Sequence, residues 1–333
     1  MNFCILGAGS WGTAVALHLN RRGHTVTLVA RRIEQAMELA TTRENAAHLS
    51  GHKLPHTLQI GHELAPAIME ADVIILACPS KYLRATAESI RTHLPVARSL
   101  RLVMSLCKGL ETGTLLRPSQ VLAEVIPGVP HGVLSGPTNA AEVAKGLPSA
   151  AVFAVDTEDE FTRAVQEAMS DRHLRIYRSQ DVIGVELGAI LKNIYAIGAG
   201  ICDGLELGSN SKAGFVTRAI REMVALGVAE GGKAETFMGL SGIGDLIATA
   251  HGGWSRNRSF GEHLADNAPA AIAQAESGEI TIEGYRATDN FRRLAARHKI
   301  HAPILEGLHA VIYGGLSPAT GIDALMTREL RAE

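Results

Sequence analysis

FCILGAGSWG, Phe3 to Gly12, decides the fold. Phe3 to Leu6 form an apolar run that reads as a short buried strand, and it meets Gly7, Gly9 and Gly12 in G-x-G-x-x-G spacing. An amphipathic stretch from Thr13 to Arg22 follows and reads as a helix that Gly23 stops. Strand, glycine turn and helix are the parts of a dinucleotide site. The first glycine permits the tight turn, the second lets the backbone approach a pyrophosphate, and the third allows helix and strand to pack closely. The helix N-terminus offers unpaired N–H groups to the anion. With 34 glycines in the chain the triplet alone is weak, and the elements around it give it meaning.

Outward from this unit, strand candidates recur at Thr25 to Ala30, Val73 to Ala77, Leu100 to Met104, His131 to Ser135 and Ala150 to Val155, alternating with helical segments. That rhythm predicts the α/β class: a doubly wound Rossmann-type domain whose parallel sheet is covered by helices on both faces. The second strand ends in Ala30, Arg31 and Arg32, with Glu34 already in the next helix. A carboxylate there would bond the ribose 2′-hydroxyl of NAD, whereas arginine accommodates the 2′-phosphate of NADP. NADP(H) and/or NAD(H) is the expected cofactor; the plainer alternative is a pair of solvated arginines opening a helix.

After Leu174 to Ser179 the rhythm changes, and from Asp181 onward the periodicity is helical with almost no credible strand. The expected domains are residues 1–179, binding NAD(P), and residues 180–333, an all-α domain for substrate binding and catalysis. A chain of 333 residues suits two domains, since single cores stop growing near roughly 250–300 residues.

Composition narrows the function. The net charge of −2 provides no global basic field for nucleic acid or anionic lipid, so any anion must be held locally. Cys4, Cys78, Cys107 and Cys202 are scattered without CxxC spacing, which favours a reducing cytoplasm. The first residues lack the basic flank and cleavage site of a signal peptide.

GVELGAILKNIYAIGAGI, Gly184 to Ile201, is the one candidate membrane span, and Glu186 and Lys192 lie inside it. A central charge costs about 2.5–3.5 kcal/mol even on lenient insertion scales, so no membrane insertion is expected. Ile190, Ile194, Ile197 and Ile201 form one core stripe, while Lys192 points away among Val185, Gly188, Ala189, Tyr195, Ala196 and Ala199. Those mostly small neighbours leave room for another chain segment or a ligand. The helix alone leaves two readings open: a lysine whose stem packs while its head reaches water, or one that donates a proton, holds an anion or pairs with a buried acid. Asn193 and Glu186 share a stripe beside it and either orient it or cap a neighbouring helix.

Asp245 follows the turn GLSGIG and suits either a helix start or a site, with Thr249 one turn later. The loop GGWSRNRSFG gathers Ser255, Arg256, Asn257 and Arg258 as a phosphate clamp would; a surface loop is the alternative. His48, His52 and His56 stand at i+4 spacing, but Gly51 and Pro55 break the helix that would align them, so no metal is expected. The run Arg292, Arg293, Arg297, His298 and Lys299 reads as a solvated helix face.

Seven segments, GAGSWGT, SLCKGLE, SGPTNAAEVAKGLPSA, IGVELGAILKN, GLSGIGDL, SRNRSFG and IEGYRAT, together resemble the bacterial-type NAD(P)-dependent sn-glycerol-3-phosphate dehydrogenases, from Phe3 to about Met326. The resemblance implies reduction of dihydroxyacetone phosphate, a small phosphate substrate, to sn-glycerol 3-phosphate for phospholipid synthesis, by a cytoplasmic homodimer. It implies that Lys192 is the proton donor and acceptor, that Lys108 contacts both substrate and cofactor, and that Asp245 shares the catalytic site. It places further substrate contacts on Gly136, Thr138, Asp245, Ser255, Arg256 and Asn257; the residues themselves add Thr249, on the face of Asp245, and Asn193, beside Lys192, as substrate contacts. To the motif glycines Gly7, Gly9 and Gly12 it adds cofactor contacts on Ser10, Trp11, Arg31, Arg32, Ala140, Arg256, Thr281 and Glu283. Asn139 stands where phenylalanine or histidine is common, Ala250 replaces a frequent cysteine, Ile282 replaces valine and Thr281 stands where valine is frequent.

Two rivals remain from the residues. A beta-hydroxyacid dehydrogenase also pairs a nucleotide domain with a lysine-bearing helical domain, but needs a carboxylate clamp where SRNR suggests phosphate. A non-catalytic nucleotide-binding protein would keep GAGSWG without needing Lys108, Lys192 and Asp245 together.

Overall fold

A computed structural model describes residues 1–330. The chain divides into two units, Met1–Glu186 and Leu187–Glu333. The first opens with β1 (Asn2–Leu6), α1 (Ser10–Arg21), β2 (Thr25–Val29), α2 (Ile33–Thr42), β3 (Glu44–Asn45), α3 (Ala46–Leu49), β4 (Ser50–Lys53), β5 (Gln59–Gly61) and α4 (Leu64–Met69). It continues through β6 (Val73–Leu76), α5 (Leu83–His93), β7 (Leu102–Ser105), α6 (Pro118–Val125), β8 (His131–Ser135), α7 (Ala140–Lys145), β9 (Ser149–Val155), α8 (Glu160–Met169) and β10 (Leu174–Ser179).

Eight of these strands make one sheet in the order β10-β9-β8-β7-β6-β1-β2-β5. The central strands β6 and β7, VIIL and LVMS, are buried along their whole length, as expected where helices cover both faces. On one face Ile5, Leu28, Val73 and Met104 pack with Val15 and Leu19 of α1. On the other Cys4, Leu6, Ile74 and Val103 pack with Ile90 of α5 and Leu122 of α6. Helix α1 starts at Ser10, three residues earlier than its amphipathic pattern predicts, because the glycine turn runs straight into it.

The all-parallel expectation needs correction: β9 pairs antiparallel with β8, and β10 runs parallel to β9. A parallel connection must carry the chain back across the sheet, usually on a helix. The only helix between β8 and β9 is α7, whose 6 residues span only about 9 Å at 1.5 Å per residue, so the chain turns back on the same edge instead.

Helix α9 (Val182–Gly204) follows, and then α10 (Gly208–Ala229), α11 (Ala234–Phe237), α12 (Asp245–His251), α13 (Arg256–Ser277), α14 (Glu283–His298), α15 (Pro303–Tyr313) and α16 (Pro318–Met326), with a π-helical turn at Leu240–Gly244. No strand occurs among the described residues of the second unit. Helix α9 is buried all round, as its apolar sequence requires. Its close neighbour is α13: a Cβ on Gly200 would lie 1.9 Å from the Arg258 carbonyl oxygen, and one on Gly261 would lie 2.0 Å from that of Ile197. Only paired glycines allow two helix backbones to touch in this way.

Candidate active site

Lys192 sits in the middle of α9 and is 4% exposed. The room left by the small residues is taken up, since Ala189, Tyr195, Ala196 and Ala199 are as buried as the isoleucine stripe. Another chain segment fills it at Gly188, where a Cβ would lie 2.7 Å from the Ser241 carbonyl oxygen. That contact brings the π-helical turn and the start of α12 against α9. The Lys192 ammonium there donates to Asp245 Oδ1 at 3.0 Å and to Thr249 Oγ1 at 2.7 Å. Thr249 in turn donates to the Asp245 carbonyl oxygen at 2.6 Å, which turns its lone pair toward the lysine.

Asp245 and Thr249 are each 1% exposed, so this is a buried ion pair with its polar atoms bonded. Such a pair is a poor device for stability, because desolvating two charges offsets most of their attraction. A charged pair kept in a core at that cost is a candidate for chemistry.

Glu186 does not orient Lys192. Its carboxylate accepts from Arg117 Nη1, Ser119 N and Ser119 Oγ, each at 2.7 Å, and so holds the start of α6. Asn193 accepts from Asn257 Nδ2 at 2.9 Å, and Asn257 Oδ1 accepts from Gly284 N at 2.9 Å. This chain ties α9 to the first turns of α13 and α14. It places Asn193 and Asn257 beside Glu283, the first residue of α14, with Thr281 half-buried just before it.

Ser255 caps α13 by accepting from Arg258 N at 3.2 Å. Arg258 is engaged with Asp203 at 2.7 Å and Glu262 at 2.8 Å, while Arg256 stands exposed at the helix start. Of the two arginines in the loop, Arg256 is therefore the one placed to take an anion.

Sequence reasoning overlooked a second buried group behind the lysine. Tyr195 donates to Glu222 at 3.3 Å, and Glu222 also accepts from Ile304 N at 2.7 Å and Leu305 N at 3.0 Å, capping α15. Burial pushes the Glu222 carboxyl up to about 7 against the pull of those N–H groups. Glutamate in the middle of an apolar helix, REMVALG, was the available signal.

In the first unit the three glycines differ as the motif requires. A Cβ on Gly7 would lie 2.6 Å from the Ala77 carbonyl oxygen and one on Gly12 only 2.0 Å from that of Gly7, whereas one on Gly9 would enter open space. Gly9 is also the N-cap of α1 and supplies no side-chain bond, leaving the first-turn N–H groups to a ligand. The turn thus fits a pyrophosphate. Ser10 donates to the His48 carbonyl at 2.7 Å, and Trp11 packs half-buried on the core. Arg31 and Arg32 are exposed at the end of β2.

Lys108 is half-buried in the loop after β7. Gly136, Thr138 and Ala140 follow β8, with Thr138 Oγ1 donating to the Gly136 carbonyl at 3.2 Å. The unusual Asn139 caps α7, accepting from Glu142 N at 3.0 Å. His48, His52 and His56 fall on a short helix, a strand and a turn, and the described residues contain no group of three or more possible metal ligands.

Family models for the N-terminal and C-terminal parts of NAD-dependent glycerol-3-phosphate dehydrogenase match residues 2–161 and 181–323. The chain belongs to this family. A glycerol-3-phosphate dehydrogenase of the NAD(P)+ type from Thermoanaerobacter sp. is 40% identical over 333 residues, covering 100% of this chain and 99% of the relative. The crystal structure of glycerol-3-phosphate dehydrogenase from Coxiella burnetii is 35% identical with a TM-score of 0.90, covering 98% of this chain and 99% of that one. A ketopantoate reductase from Ralstonia eutropha, at 17% identity and TM-score 0.62 over 97% of this chain and 100% of its own, shares the fold alone. Among glycerol-3-phosphate dehydrogenases, then, this chain has a glycine turn shaped for a nucleotide and a buried lysine–aspartate–threonine cluster.

Proposed function

We propose that the protein reduces dihydroxyacetone phosphate to sn-glycerol 3-phosphate, reversibly and with NAD(P)H, and supplies glycerophospholipid synthesis. The observation that carries this reading is the buried Lys192–Asp245–Thr249 cluster in a member of this family. NAD(P)H, when bound, supplies the hydride. As negative charge builds on the substrate oxygen, the Lys192 ammonium donates a proton to it. Asp245 stabilises the ammonium form, and Thr249 fixes its direction. Arg256, exposed at the start of α13, takes the phosphate with Ser255 and Asn257, while Gly136, Thr138, Asn193 and Lys108 complete the substrate contacts.

Gly7, Gly9 and Gly12 seat the pyrophosphate, with Ser10, Trp11, Arg31, Arg32, Lys108, Ala140, Arg256, Thr281 and Glu283 as further cofactor contacts. Residues 1–179 are the nucleotide-binding domain and 180–333 the substrate domain. The resemblance to cytoplasmic homodimers supports the same location and assembly here, and light scattering reads the assembly directly.

The test is NAD(P)H oxidation with dihydroxyacetone phosphate. Lys192→Ala should lose about 10²–10⁴-fold in kcat, and Arg256→Ala should mainly raise substrate KM. No turnover by the unaltered protein ends the reading, and full turnover by Lys192→Ala ends the proton-donor role.

A further inference from the structure

Strands β2 and β6 flank β1 in the sheet, so the turns that follow them lie on either side of the glycine turn. At this switch point an open α/β sheet receives its ligand. The turn after β6 contains Ser80–Tyr82, a single 3-10 turn leading into α5. The Arg31 guanidinium carbon lies 4.8 Å from the Tyr82 ring centroid, and the Lys81 ammonium lies 4.9 Å from the same centroid.

Two cations from separate segments therefore meet on one ring, with Arg32 adjoining in sequence. Such cations repel unless an anion joins them. Hydrogen bonds from Arg31 first and Lys81 second also hold the Tyr82 phenol below its usual range. Glu34, the carboxylate next in sequence, points from the exposed first turn of α2.

We propose that Lys81 and Tyr82 complete, with Arg31 and Arg32, a seat for the 2′-phosphate of NADP(H), so that two turns rather than the end of β2 alone set cofactor specificity. The Tyr82 face holds the Arg31 guanidinium in place, which leaves less freedom to lose when its planar fork meets phosphate oxygens. Lys81 adds a compact point charge from the neighbouring turn. This inference rests on the nucleotide-binding reading of the first unit.

Calorimetry on the full-length protein with adenosine 2′,5′-bisphosphate and with 5′-AMP tests it without turnover. The unaltered protein should prefer the bisphosphate. Lys81→Ala should shrink that preference about tenfold, the worth of one charge-assisted hydrogen bond, and Tyr82→Ala should shrink it by releasing Arg31. Lys81→Arg should restore the preference, and added salt should narrow the gap between variants. An unchanged preference in Lys81→Ala, or equal weakening of both ligands, overturns the proposal. Failure of the unaltered protein to bind either nucleotide overturns the nucleotide-binding reading itself.

Discussion

At the scale of single residues, the charged side chains buried on or against α9, Glu186, Lys192 and Glu222, each have partners. Sequence order cannot pair these groups, because their partners are remote in the chain. The lysine meets Asp245 across 53 positions, and Glu222 meets the start of α15 across 82. The type and setting of Lys192 were legible, as a charge among isoleucines and alanines; its counterion was not, since nothing local to GIGDL points to α9.

Glu222 makes a pH prediction. Its carboxyl moves from 4.5 to about 7 on folding, so between those values the folded chain holds a proton that the unfolded chain releases. The stability this group contributes is fully present below 4.5 and is lost as pH rises through about 7. Glu222→Gln, which mimics the protonated form, should flatten the wild-type decline by up to about 1.4 kcal/mol per pH unit in that window. Urea unfolding at several pH values reads the difference between the two proteins, and parallel curves would contradict it.

At the scale of elements, hydrophobic rhythm located the apolar strands of the sheet, and glycine spacing located the turn, while the short β3, β4 and β5, such as QIG at the sheet edge, carry too little apolar pattern to read. What the pattern could not carry was strand direction, because β9 has the same apolar face whichever way it runs. Nor could it show which glycines are contacts. Gly9 and Gly12 look alike in sequence, yet one faces open space and the other the Gly7 carbonyl. Gly12→Ala should therefore lower the melting temperature, whereas Gly9→Ala should keep it and weaken nucleotide binding. The Gly200–Gly261 crossing works like the Gly12 contact. Gly200→Ala should destabilise by about 1–3 kcal/mol or more through overpacking, read by urea unfolding, and should raise substrate KM by displacing the start of α13 that bears Arg256.

At the scale of the whole molecule, one helix among the described residues, Val182–Gly204, is long and apolar enough to cross a membrane, and 94% of its most apolar window is buried inside the protein. The folded protein should stay in the supernatant when phosphatidylcholine vesicles are sedimented; co-sedimentation would mean that α9 can leave the core.

The reversal of β9 has its own consequence at this scale. Residues 136–148 leave β8 and re-enter the sheet in β9 on one rim, without crossing its depth. Their length is therefore uncoupled from the thickness of the scaffold. Residues 106–130, which must travel from the end of β7 to the start of a parallel β8, have no such freedom. An insertion after Lys145 would reshape the rim that carries Gly136, Thr138 and Ala140 and leave every strand in register, which makes this the segment through which the fold can be adapted to a different ligand.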